Sequence, residues 1–116
     1  MTKSKKPKKL KPKFLTFNVT PKVVVRPRAR IIKLVKVSGK IETTSNKGVV
    51  DFILITPKGK KEKSRVFYGK TTRGSLTVLF NWFYYVYKNT ELGVYTVKAR
   101  LRENNKQRKS KLFRVK

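Results

Sequence analysis

The chain is 116 residues long, enough for one domain closed around a single core. It carries 32 Lys and Arg against 5 Asp and Glu, a net charge of +27, with neither cysteine nor histidine. Those absences exclude a disulfide framework, thiolate metal sites and the commonest general base, while the charge calls for an anionic partner.

Residues 1–13 are of low complexity. They hold seven lysines (Lys3, Lys5, Lys6, Lys8, Lys9, Lys11 and Lys13), two prolines and a lone Leu10. Nothing there can offset the entropy of ordering by burial, so the segment reads as a basic extension that orders only against a polyanion. Residues 14–116 still carry +20, so the basicity belongs to the domain as well. No apolar leader and no run approaching ~20 apolar residues is visible. The expectation is a cytoplasmic, ribosome-associated chain, or one packaged in a virion.

From Phe14 to Val25 the alternation is loose and breaks at Thr20-Pro21, which predicts an edge strand that bends partway before Arg26-Pro27-Arg28 ends it. Residues 30–42 predict a longer strand leading into a turn at Ser38-Gly39-Lys40. A parity slip between Ile32/Leu34 and Val35/Val37 predicts a bulge there. After a polar loop from Thr43 to Gly48, the almost continuous apolar run Val49–Thr56 predicts a central strand buried on both faces. Pro57-Lys58-Gly59 is a turn, and lysine-studded Lys61–Tyr68 has the character of a protected edge.

Thr72-Arg73-Gly74 turns the chain again, after which Leu76, Val78, Phe80 and Trp82 alternate with polar or outward positions. Leu92–Arg102 alternates most cleanly: Tyr95, Val97, Ala99 and Leu101 point one way, Thr96, Lys98, Arg100 and Arg102 the other. Glu103-Asn104-Asn105-Lys106 predicts a turn, and Arg108–Val115 closes the chain with Phe113 and Val115 inward. About seven strands and no helical period predict an all-β fold, a single antiparallel β-sandwich.

The stretches Pro57-Lys58-Gly59, Gly74-Ser75-Leu76-Thr77-Val78, Leu92–Ala99 and Ser110–Val115 together resemble an immunoglobulin-like domain of the disulfide-free prokaryotic or archaeal type. The resemblance covers roughly residues 20–116. It implies that Tyr95, two residues before Val97, is a tyrosine-corner residue whose hydroxyl bonds back to the preceding corner. It also implies a surface adhesion module as one possible role.

The five carboxylates (Glu42, Asp51, Glu62, Glu91 and Glu103) are scattered singly, with no spacing suited to an acid–base dyad or an oxygen-rich metal site. Ser and Thr have no histidine to activate them. The chain therefore reads as no enzyme, with no metal, cofactor, membrane or small-molecule substrate. Asp51, inside an apolar run, is expected to pair with a neighbouring Lys or Arg.

Three basic elements point to phosphate neutralisation with counterion release, which needs clustered cations and no particular motif. They are the seven lysines of the extension; Arg26, Arg28 and Arg30; and outward Lys98, Arg100 and Arg102 with Arg108 and Arg114. Arginine adds a planar fork suited to phosphate. Lys58, Lys60, Lys61, Lys63 and Arg65 form an alternative surface, and a solvated charged face is the competing explanation. No base-reading motif is present. Within Trp82–Tyr87, Trp82 and Tyr84 are expected inward. Phe83, Tyr85 and Tyr87 surface as a stacking platform, a contact with another protein subunit, or aromatics closing one end of the sandwich.

A basic globule with a basic extension is similar in composition to ribosomal proteins. The leading expectation is a non-catalytic RNA-binding structural component of a ribonucleoprotein, contacting rRNA phosphates, with RNA favoured over DNA. The alternatives are a structural virion protein anchored by its basic arm, and the adhesion module.

Overall fold

The computed structural model describes residues 12–28, 30–43, 48–68 and 77–116. Their strands are β1 (Lys13–Thr20), β2 (Val23–Val24), β3 (Lys33–Glu42), β4 (Gly48–Ile55), β5 (Lys61–Tyr68), β6 (Thr77–Val86), β7 (Gly93–Leu101) and β8 (Asn104–Val115). They form a three-stranded sheet ordered β1-β3-β6 and a five-stranded sheet ordered β2-β8-β7-β4-β5. The fold is an all-β sandwich, with no helix among the described residues.

Alternation builds the core. Val35, Val37 and Ile41 of β3 and Val78, Phe80 and Val86 of β6 face Val50, Phe52 and Leu54 of β4 and Tyr95, Val97, Ala99 and Leu101 of β7. Phe113 and Val115 of β8 are buried, as their parity predicts. Aromatic rings run through this layer. Phe80 meets Phe52 at 6.1 Å, Phe52 stacks on Trp82 at 5.1 Å, and Tyr95 stacks on Phe113 at 5.0 Å. Each such pair adds about 0.5–1.5 kcal/mol beyond area burial. The Tyr95 hydroxyl donates to the Glu91 carbonyl at 2.5 Å, the back-bond a tyrosine corner makes.

Several expectations need correction. The bend in the first strand is a change of sheet: β1 edges the three-stranded sheet, and β2 pairs with β8 in the other after the cis Thr20–Pro21 peptide. That division gives eight strands among the described residues, in keeping with the expected number of about seven. No turn forms at Ser38-Gly39-Lys40, because β3 runs straight through it. The parity slip resolves without a bulge: Ile31 and Ile32 precede β3 and are exposed, and the bulge lies in β1 between Phe14 and Thr16. The central strand β4 is buried on one face only, with Asp51, Ile53 and Ile55 half-exposed on the other. The turn expected over Glu103–Lys106 is only Arg102-Glu103, and β8 starts at Asn104. Lys13 belongs to β1 rather than to the extension, and the Asn104 side-chain amide donates to the Pro12 carbonyl at 3.0 Å. Thr72-Arg73-Gly74, Ser75, Leu76 and most of the loop after Thr43 lie outside the described residues.

Candidate nucleic-acid interface

Strand register sets the outward face of the five-stranded sheet. Residues opposite one another in antiparallel strands share a face, so β5, β4, β7 and β8 present continuous rows. One row is Arg65, Asp51, Arg100 and Arg108. The next is Lys63, Ile53, Lys98 and Ser110, followed by Lys61, Ile55, Thr96 and Leu112. Val94 opposite Arg114 lies further along. With strands about 4.8 Å apart, the cationic field from β5 to β8 is about 14 Å wide. The surface dips into a concavity of about 550 Å³ whose lining includes Ile53, Lys63, Lys98, Arg100, Arg108 and Ser110.

Asp51 is the one carboxylate in these rows. Arg102 grips it with Nη2 at 2.7 Å and Nε at 3.2 Å, and Arg100 Nη2 stands 3.8 Å away. The Arg102 hydrogen bond holds the Asp51 carboxyl below its ordinary value, partial burial opposes this, and the charges of Arg102, Arg100 and Arg65 assist. The ion pair expected from the sequence is therefore present. Two other acids are also engaged. Glu42 pairs with Lys13 at 3.5 Å, and Glu103 accepts from the Val49 amide at 3.1 Å and the Tyr68 hydroxyl at 3.3 Å.

The candidate residues divide accordingly. Lys98, Arg100, Arg108 and Arg114 share the outward face, and Arg102 borders it in the turn while tied to Asp51. Arg26 is half-buried and structural: its guanidinium donates to the Thr90 carbonyl at 3.2 Å. Arg28 and Arg30 are exposed in the connection between β2 and β3 and belong to none of these strand rows. Lys13 sits on the other sheet, paired with Glu42. Lys3, Lys5, Lys6, Lys8, Lys9 and Lys11 lie outside the described residues. Phe83, Tyr85 and Tyr87 are exposed, as expected; Phe83 and Tyr85 lie on the outer face of the three-stranded sheet and Tyr87 just beyond β6. Trp82 and Tyr84 point into the core, half-buried.

Sequence reasoning undervalued Lys61, Lys63 and Arg65. It set them apart as a different surface, yet β4 joins them to the β7–β8 cations on one face. Their i, i+2 spacing was the available signal, but no local feature reveals that β4 lies between β5 and β7. Phe67 was also missed: it is 68% exposed, with the Arg65 guanidinium 5.7 Å from its ring centre.

Fold and surface together define a small all-β sandwich with one strongly cationic sheet face. No protein-family model and no curated protein matches the chain. Among solved structures it is similar in fold to the Pseudomonas fluorescens alkylpurine DNA glycosylase AlkC bound to DNA containing an abasic site analog. The TM-score is 0.60 at 16% identity, over 91% of this chain and 30% of that one. At that identity the likeness is one of fold, and this chain spans under a third of the glycosylase's length.

Proposed function

We propose that this chain is a non-catalytic nucleic-acid-binding domain that lays the outer face of its five-stranded sheet against phosphates. One observation carries the reading: cations from β5, β7 and β8 converge on a single concave face, with one carboxylate among them. Clustered cations on a rigid sheet bind a polyanion by releasing its counterions, and the rows offer no base-reading device beyond Phe67 at their rim. The neighbouring fold occurs in a protein bound to DNA, which agrees with a nucleic-acid partner. The finer reading is structured RNA within a ribonucleoprotein, supported by the basic globule with its lysine-rich extension. The tyrosine corner supports an immunoglobulin-like ancestry for the sandwich.

Affinity for matched RNA and DNA oligonucleotides, single- and double-stranded, titrated against salt, tests this. Changing Lys63, Lys98, Arg100 and Arg108 together to Gln should flatten the slope of log K against log salt by about three to four. Scrambling the oligonucleotide sequence should leave affinity unchanged. An unaltered slope would move the binding face elsewhere, and tighter binding to DNA would remove the RNA reading. No binding even at low salt would overturn the proposal.

A further inference from the structure

Each sheet of a sandwich has two edge strands, and exposed edges invite pairing with another chain unless something blunts them. Among the described strands, three of the four edges are blunted. β5 carries Lys61, Glu62, Lys63 and Arg65. β2 is two residues long, and the chain then leaves the edge at Pro27. β1 has a bulge at its start, where the Phe14 amide donates to the Gln107 side chain at 3.1 Å and the Pro12 carbonyl accepts from Asn104.

β6 is the exception. Its ten residues, Thr77–Val86, contain no charge, proline or glycine, and pair with β3 in unbroken register. Among the described residues no strand is hydrogen-bonded along its other edge; β5 of the opposite sheet approaches it only through side chains, the Trp82 indole donating to the Ser64 hydroxyl at 3.0 Å. The outward side chains Leu79, Phe83 and Tyr85 are 64%, 42% and 51% exposed. Residues 74–87 are also the longest uncharged stretch in a chain of net charge +27. A second copy of so cationic a protein meets the least repulsion along this stretch.

We infer that two copies pair antiparallel through their β6 edges, joining two three-stranded sheets into one of six strands. A two-fold axis across the strand pair makes the contact self-complementary and closed. Edge backbone groups between Leu79 and Tyr85 hydrogen-bond to those of the copy, and Leu79, Phe83 and Tyr85 gain cross-strand neighbours. The cationic face lies on the opposite sheet and stays open, so this pairing does not depend on nucleic-acid binding.

Sedimentation of the nuclease-treated full chain in molar salt tests the inference. A concentration-dependent monomer–dimer equilibrium is expected. Asn81→Lys, at an outward position mid-strand, should weaken the dimer by at least about tenfold through opposed like charges. Asn18→Lys, outward on β1, should leave it unchanged. Because the chain has no cysteine, single Leu79→Cys, Asn81→Cys and Phe83→Cys variants give a second reading. A two-fold sets each outward position opposite its own copy or opposite another outward position, so at least one variant alone, or an equimolar mixture of two neighbouring ones, should oxidise to a covalent dimer. A chain that stays monomeric at every concentration overturns the inference, as does a dimer indifferent to Asn81→Lys with no cysteine variant crosslinking. A monomer whose Phe83→Ala, Tyr85→Ala variant loses affinity for single-stranded oligonucleotides also overturns it, and gives the face to unpaired bases.

Discussion

Asp51 shows how one residue serves both stability and surface potential. It sits on β4 between Arg65 and Arg100 in register, and Arg102 reaches it with two donors. Its folded pKa is lowered from 3.8, so the pairing contributes stability above that pH and loses it as pH falls through the depressed value. Asp51→Asn should therefore be less stable than the wild type at neutral pH, and the difference should close in urea titrations carried below about pH 4. The same change frees Arg102 and removes the one acid from the cationic rows. The slope of oligonucleotide affinity against salt should steepen by about one. Weaker binding by this variant at low salt would instead show that Asp51 orients the guanidinium groups.

At the scale of elements, Gly39 decides how β1, β3 and β6 lie together. It stands opposite Phe17 on one side and Phe80 on the other, and those rings stack at 6.3 Å over the missing side chain. A Cβ at Gly39 would lie 2.2 Å from the Thr16 carbonyl oxygen and 2.7 Å from the Phe80 ring. Backbone of a paired strand cannot yield cheaply. Gly39→Ala should cost about 1–3 kcal/mol by overpacking, read as a lower urea midpoint with the m-value unchanged. The sequence made Gly39 look like a turn because glycine and serine punctuate turns far more often than they fill strands. β7 was legible almost to the residue, since its alternation is unbroken from Tyr95 to Arg102. β4 misled, because Ile53 and Ile55 are apolar on a face that is only half covered.

For the whole molecule, a charge of +27 acts on stability and binding with opposite sign. Salt screens self-repulsion, so the urea midpoint should rise between about 0.05 and about 0.5 M salt while oligonucleotide affinity falls. Residues 1–11 offer only Met1 and Leu10 for burial among six lysines, so deleting them should leave stability nearly unchanged. It removes six lysines and should flatten the salt slope of binding by up to about five if all of them reach phosphates. An unchanged slope would free the extension from that role.

Composition and period by themselves determined an all-β chain, the inward and outward sets of its best strands and an excess of positive charge. Those properties are local, because alternation and residue type are written along the chain. Only the tertiary structure decided that β4 joins β5 to β7, that Arg26 is held by Thr90, and that β6 is an edge among the described strands. Each depends on which strands become neighbours across long stretches of sequence. Strand order arises from packing the two apolar faces together, and no single segment encodes it.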